Sequence, residues 1–250
     1  MQLATTEVVA IEELTADIRL MRLKLVEPTE VGFTPGQYVD ITVPGSDVTR
    51  AFSMANTSSE GGELEFMIKV YEGGRFSGLL DSELEPGTEL QIKGPFGVFM
   101  LRESSDADIV FIGGGAGMAP IYSLLTSIAE KGIERKATYY YGARTKADLF
   151  HLEEFQQLEE RLPNFNFVPA LSEASDDEDW DGETGLITEV VDRLEDDLSE
   201  AHAYLCGPPP MIDACIPVLE SKGVTEEHIY FDKFTTSSDA EQEGIDEGVK

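Results

Sequence analysis

The chain has 250 residues, 41% of them hydrophobic, with 18 basic and 49 acidic side chains for a formal charge of −31. This composition is rich enough for real cores, argues against global disorder, and at this length suits one large domain or two ordinary ones. So strong an acidity excludes the basic footprint that nucleic-acid binding requires, and an anionic membrane surface would repel it.

The first hundred residues read as β. "QYVDITV" (37–43), "RAFSMA" (50–55), "ELEFMIKVY" (63–71) and "ELQIKG" (89–94) are alternating or β-rich runs. Turn clusters separate them: "PG" at 35–36 and 44–45, "EGG" at 60–62 and "PG" at 86–87. Short strands at this spacing predict an antiparallel barrel or sandwich.

After about residue 105 the rhythm changes. "DIVFIGG" is a buried-strand run, and "APIYSLLTSIAEKG" is a helix with Pro120 in its first turn and Gly132 at its end. The strand "ATYYYGA" and the helix "ADLFHLEEFQQLEERL" follow, then the strand "FNFVPAL" and the helix "LITEVVDRLEDDL". The strand "AYLCG", the helix "PMIDACIPVLESKG" and the strand "HIYFDKF" complete the half. Strict β–α alternation predicts a parallel sheet with helices on both faces. The expected organisation is a first domain over 1–104, a second over 105–234, and an acidic, disordered tail over 235–250. A second acidic loop, "SEASDDEDWDGE" (172–183), carries no recognisable chemistry.

Several classes fall away. The 21 uncharged residues from Ile109 to Ala129 are long enough to span a bilayer, but four glycines and Pro120 interrupt them. A strand, a tight turn and a helix start explain the stretch better. Cys206 and Cys215 are the only cysteines, so neither a disulfide framework nor a four-cysteine iron–sulfur site is expected. His151, His202 and His228 lack metal-site spacing. The first twenty residues have no basic region ahead of an apolar core, and a reducing, cytoplasmic setting is the expectation. Charge is uneven as well: residues 1–105 are net −9 and residues 106–250 net −22, a solvated surface or a docking aid.

"GGGAGMAP" (113–120) joins the first strand of the second half to its first helix. There, phosphates of a nucleotide meet backbone N–H groups and a helix N-terminus, although glycine turns also serve packing alone. The standard fingerprint would put a third glycine where Pro120 stands, and an acidic residue where "YYYGARTKAD" has Arg144. "RAFS" (50–53), "GRFS" (74–77), "GGGAGMAP" and "CGPPPM" (206–211) occur in that order, on a β half and then an α/β half. With this ordered set the chain resembles the ferredoxin–NADP reductase superfamily over about residues 5–234. "PGQYVDITVPG", "EGGRFS" and "YFDKF" resemble most closely the NADH-oxidising reductases of multicomponent, soluble di-iron monooxygenases.

The resemblance implies an FAD-binding Greek-key antiparallel barrel followed by a Rossmann-like NAD-binding domain. It places Arg50 at the flavin pyrophosphate, where a guanidinium fits phosphate geometry, with Ala51 beside it. Phe52 would stack on the isoalloxazine, where many relatives have tyrosine, and Ser53 would lie near flavin N5. Gly74, Arg75, Phe76 and Ser77 match the stretch that wraps the diphosphate, and Lys69 and Val70 also fall at cofactor-binding positions. Each has a plainer reading: an exposed arginine, core packing, a surface turn. Gly114, Gly115 and Gly117 would accept the NADH pyrophosphate, Pro120 and Arg144 also fall at cofactor-binding positions, and Arg144 could pair with a 2′-phosphate. Cys206, Gly207 and Pro208 would flank the nicotinamide, Cys206 without a nucleophilic role; a buried core thiol is the alternative. Phe234 would cover the flavin face that nicotinamide needs, with Phe231 as second choice or a core residue. Asp148 and the acidity of the second half favour NADH over NADPH.

The implied chemistry is hydride transfer from nicotinamide C4 to flavin N5, then one-electron delivery to a [2Fe–2S] ferredoxin domain or protein that feeds an oxygenase hydroxylase component. No hydrolytic triad or paired-carboxylate motif stands out. Relatives carry the ferredoxin N-terminally, so the expectation is an excised flavin half or a separate ferredoxin chain. A free NAD(P)H:flavin reductase and a non-enzymatic nucleotide-binding regulatory module are the rival readings.

Overall fold

The computed structural model describes residues 1–58, 62–175 and 179–234; the expected tail over 235–250 lies outside the described residues. The first half is a six-stranded antiparallel sheet built from β1 (Gln2–Thr15), β2 (Ile18–Glu27), β3 (Tyr38–Thr42), β4 (Thr49–Ser53), β5 (Glu63–Lys69) and β6 (Glu89–Phe96). Its order is β4-β3-β6-β1-β2-β5, so β6 inserts between β1 and β3 in Greek-key fashion. Beyond β4 the chain meets β5 again through a Met54–Phe66 bridge and an Ala55 N–H donated to Glu65 O at 2.8 Å, which brings the two sheet ends together as a barrel. Alternate residues point inward: Met21, Leu23, Val39, Ile41, Leu64, Phe66, Leu90 and Ile92 form its core.

The two longest strands, β1 and β2, are the ones the alternation of the sequence does not disclose. Register shifts between Val8 and Ala10 and between Glu13 and Thr15 break the period of two in β1. A short helix, α1 (Arg75–Ser82), starts on "GRFS" and crosses the barrel between β5 and β6.

The second half contains β7 (Asp108–Gly114), α2 (Met118–Lys131), β8 (Ala137–Ala143), α3 (Leu152–Arg161), β9 (Phe165–Leu171), β10 (Glu183–Thr184), α4 (Ile187–Leu194), β11 (Ala201–Gly207), α5 (Pro209–Ser221) and β12 (Ile229–Lys233). All its strands are parallel, in the order β10-β9-β8-β7-β11-β12. The chain works outward from β7 to β10 and then returns to β7's other edge, so the topological switch lies between β7 and β11. Both strands are buried on both faces, as their near-continuous apolar runs require. The uncharged run 109–129 is thus divided among β7, a one-turn 3-10 helix at Gly115–Gly117 and α2. Among the described residues no helix is long and apolar enough to cross a membrane.

Helix α3 starts five residues later than "ADLFHLEEFQQLEERL" predicts. A capping box ties Thr145 to Asp148, and His151 adopts a left-handed φ of 57°, so regular helix begins only at Leu152. Helix α4 likewise ends at Leu194, before the acidic "EDD".

One apolar cluster joins the halves: Ile18, Leu20, Met67 and Phe99 of the barrel side pack with Ile121 and Leu124 of α2 and Tyr204 of β11. Ser123 Oγ donates to Asn56 O across the junction at 2.7 Å. The connecting segment is held by Arg102 N–H on Tyr204 Oη at 3.0 Å and by Arg135 Nη1 on Arg102 O at 3.1 Å.

Candidate functional site

At the switch point Gly113 of β7 lies opposite Cys206 of β11. A Cβ on Gly117 would sit 2.2 Å from Cys206 O and 2.7 Å from Gly207 Cα, a clash with backbone that no side-chain motion relieves. Glycine there is what lets the turn cross the end of β11. Gly115 has φ +54° and nothing within 4 Å of where its Cβ would project, so its backbone faces open space. Pro120 is buried in the first turn of α2.

A cleft of about 310 Å³ opens beside this turn and takes its walls from both halves. Asp17, Ile18, Lys69 and Tyr71 come from the barrel; Gly114–Gly117, Gly142–Arg144, Asp148, Leu186, Gly207, Pro208 and Phe234 come from the other side. Its size and position are those of a ligand site in an open parallel sheet. The glycine rim and the absence of a side-chain cap at the start of α2 fit a nucleotide pyrophosphate.

Where the halves meet, Ser53, Cys206 and Asp232 converge. Ser53, the last residue of β4, is buried and its hydroxyl hydrogen-bonds the Asp232 carboxylate. Asp232 pairs with Cys206 in the β11–β12 register. Loss of solvent pushes the Asp232 carboxyl up to about 6, while the Ser53 hydroxyl pulls the other way. The Cys206 thiol is fully buried; burial and then the Asp232 carboxylate push its pKa well up, so it is no thiolate nucleophile at neutral pH. Along β12, Tyr230 and Asp232 share one face and Phe231 and Lys233 the other. Phe231 packs toward the α5 side with Lys233 Nζ above its ring at 5.5 Å, whereas Phe234 lines the cleft and donates its N–H to Gly207 O at 3.0 Å. Both rings are half-buried against core clusters, and of the two Phe234 lines the cleft.

The barrel positions form a second group. Arg50 and Phe52 point to one face of β4, with Ala51 exposed on the other; Phe52 packs on Phe76 with centroids 4.7 Å apart. Arg50 Nη1 donates to Thr49 O at 2.7 Å. "GRFS" is a helix start rather than an open turn: Gly74 is the N-cap, Arg75 is exposed and ion-paired to Asp47, and Phe76 and Ser77 are buried. Ser77 Oγ accepts the Tyr71 N–H at 2.9 Å, which orders the preceding loop. The first turn of α1 has no side-chain cap and no acidic residue, so its N–H end suits an anion such as a flavin diphosphate. Lys69 Nζ is paired to Asp17 at 2.6 Å, and Val70 donates its N–H to Asp17 O at 2.8 Å. Burial opposes the charge on Asp17, but the Lys69 hydrogen bond and charge outweigh it and hold the carboxyl below its usual range. Lys69 therefore stands in the nucleotide cleft, away from α1's N-terminus.

Arg144 follows β8 and lies 3.7 Å from Asp148. Three carboxylates of this region escaped the motif reading of the sequence: Asp232 in the seam, Asp17 beside Lys69, and Asp148 as Arg144's partner rather than a mere neighbouring charge. Asp232 carried a usable signal, a lone acid at an inward position between Tyr230 and Phe234. Asp17 sits in a two-residue hairpin turn and carried none.

Two family models match: an oxidoreductase FAD-binding domain over residues 5–101 and an oxidoreductase NAD-binding domain over residues 111–216. The chain is 47% identical to the reductase component of propane 2-monooxygenase from Rhodococcus jostii (strain RHA1), over 92% of this chain and 63% of that protein. It is 38% identical to the reductase component of phenol 2-monooxygenase from Pseudomonas sp. (strain CF600), over 92% of this chain and 65% of the relative. The chain thus spans a little under two thirds of these relatives' length. The ferredoxin reductase in carbazole 1,9a-dioxygenase superposes with a TM-score of 0.84 at 32% identity, over 94% of this chain and 70% of that one. An Amycolatopsis cytochrome P450 reductase gives 0.85 at 31% identity, with the same two coverages. With both halves matched in the same order and the seam between them formed, the chain belongs to the ferredoxin–NADP reductase superfamily of FAD- and NAD-binding oxidoreductases.

Proposed function

We propose that this chain oxidises NADH with FAD and delivers the electrons singly to an iron–sulfur carrier serving a multicomponent oxygenase. The observation that carries the reading is the seam: Ser53 from the barrel meets Cys206 and Asp232 from the parallel sheet at the mouth of a cleft edged by Phe234. A site shared by two halves is what transfer between two bound cofactors demands. We take 1–104 as the flavin half and 105–234 as the nucleotide half.

FAD, when bound, supplies the conversion of a two-electron input into one-electron output that no side chain provides. The chain's own residues do the rest. Arg50 and the first turn of α1 at Gly74–Ser77 hold the diphosphate, and Phe52, fixed by Phe76, offers an aromatic face. Gly114, Gly115 and Gly117 admit the nucleotide pyrophosphate to the backbone, and Lys69 faces it from the barrel side. Phe234, at the mouth of the cleft, would cover the seam at the place a nicotinamide would need. The Ser53 hydroxyl, hydrogen-bonded to an acid whose pKa is about 6, holds a proton where one must be exchanged during reduction and reoxidation. Cys206 contributes an uncharged, buried wall.

The test is an anaerobic absorbance spectrum of the purified chain before and after NADH, with NADPH in parallel. A bound-flavin band bleached quickly by NADH and slowly by NADPH is expected. A chain that neither retains flavin nor takes up added FAD would leave only the regulatory-module reading. Flavin that leaves the protein with each turnover would favour the free flavin reductase instead. Delivery to an iron–sulfur carrier is tested by NADH-dependent, anaerobic reduction of a [2Fe–2S] ferredoxin.

A further inference from the structure

Two cations, Lys69 and Arg144, line the cleft, one on each wall, and each is already held by a carboxylate that lines it too. Lys69 Nζ lies 2.6 Å from Asp17 and Arg144 Nη2 lies 3.7 Å from Asp148. The two pairs differ in how free the acid is. Asp148 Oδ2 accepts both the N–H and the hydroxyl of Thr145, each at 2.9 Å, so the carboxylate cannot swing away when a ligand approaches. Its other oxygen is left toward Arg144. Beside them Ser172 and Glu173 donate their N–H groups to Ala143 O at 3.0 Å and Arg144 O at 2.8 Å, which brings the start of the acidic segment 173–183 against Arg144. Lys146, the next cation along the chain, is engaged with Asp179 O at 2.9 Å.

Arg144, the cation at the end of β8 where a nucleotide's adenosine ribose lies in such sheets, therefore has its charge offset by a carboxylate that is fixed in place. A 2′-phosphate brings a charge of about −1.5 to −2 and needs a free guanidinium fork. We propose that Asp148 sets nucleotide selectivity: by pinning and neutralising Arg144 it makes the cleft reject a 2′-phosphorylated adenosine and accept a plain one. The inference rests on the nucleotide reading of the cleft. Asp148 acts through Arg144 and is a positioning residue. Asp17, paired with Lys69, offsets charge on the pyrophosphate's side of the cleft and is coupled to Arg144 only as the weakest of the influences on its carboxyl.

The experiment is titration calorimetry of the full chain with ADP-ribose and with 2′-phospho-ADP-ribose, neither of which can be oxidised. The wild-type chain is expected to favour ADP-ribose. In Asp148→Asn the preference narrows about fivefold, the scale of an exposed ion pair, through tighter binding of the 2′-phosphate form. Adding Arg144→Ala to that variant restores the original ratio. Asp17→Asn tightens both ligands and narrows the ratio less than Asp148→Asn does, since its main partner is Lys69. Arg144→Ala alone, which does not touch the Thr145 cap, leaves the fixed Asp148 carboxylate uncompensated and widens the preference for ADP-ribose. A ratio narrowed only by weaker ADP-ribose binding overturns the inference, because Asp148 would then hold the ribose hydroxyls. So does a ratio narrowed in the single Arg144→Ala chain. Failure of the wild-type chain to bind either ligand refutes the cleft reading itself.

Discussion

Replacing Asp232 with asparagine probes the seam through its proton. The carboxyl, ordinarily near 3.8, is pushed up to about 6 in the folded chain by loss of solvent. A raised acid favours the protonated form on folding, so it costs nothing below about pH 3.8. The cost grows as pH rises through the interval and levels off above about 6. At about 1.4 kcal/mol per decade, the interval amounts to about 3 kcal/mol when fully expressed. Asparagine keeps the shape, stays neutral and still offers Ser53 an oxygen. The Asn variant should therefore gain about 1.6 kcal/mol over wild type at pH 5 and about 3 kcal/mol at pH 8. The assay is urea unfolding followed by circular dichroism at pH 5, 6, 7 and 8, on FAD-loaded and FAD-stripped protein. An advantage that stays constant from pH 5 to 8, or that shrinks, refutes the assignment of a raised pKa to this acid.

Three other substitutions read different parts of the site. Ser53→Ala removes the hydrogen bond that lowers the Asp232 pKa, so the pH dependence of flavin reduction by NADH should shift to higher pH. The rate in stopped flow should fall about 100-fold, the scale of a lost proton-transfer partner; an unchanged rate and profile would remove Ser53 from the chemistry. Gly117→Ala forces a Cβ to within 2.2 Å of Cys206 O and should cost about 1–3 kcal/mol by overpacking, read as a lower thermal midpoint with weakened NADH binding. A variant with wild-type midpoint and wild-type KM would show that the turn has slack. Arg50→Ala should weaken FAD retention about 10- to 100-fold, the loss of one charge-assisted bond, measured by flavin fluorescence on dilution; retention at wild-type strength would assign Arg50 to the surface.

How much of this was legible depended on whether a residue's partner is near in sequence. The parallel half was readable because "DIVFIGG", "ATYYYGA" and "FNFVPAL" are buried on both faces and turn signals bound them, and β7, β8 and β9 span those residues. In the barrel, β3 and β6 alternate and β5 does so until Phe66–Ile68, which are buried in succession, but β1 is bulged, so its apolar residues fall out of period. The glycines of the turn could be found because glycine is itself the signal. Asp17 could not, because what makes it matter is Lys69, 52 residues away and joined to it only by the β2–β5 register. "GRFS" was legible as a motif and not as a helix: eight residues are too few for a periodic pattern to declare itself.

The same logic explains how the last strand comes to serve the first half. Asp232 and Phe234 reach the seam only because β12 lies in one register against β11, with Asp232 opposite Cys206 and Lys233 opposite Gly207. A slip of one residue would turn Asp232 away and present Phe231 or Lys233 to Ser53 instead. The chain guards that register from both faces. On one, Lys233 is paired to Asp213 of α5 at 2.7 Å and Phe231 packs against the core; on the other, Phe234 N–H is tied to Gly207 O and Ser53 holds the carboxylate. Gly207, at φ +144°, also has Gly114 O only 3.1 Å from where its Cβ would project, so one residue sets both the approach to the glycine turn and the anchor of Phe234. Closing the cleft and placing the acid are therefore a single structural decision, made where β11 ends.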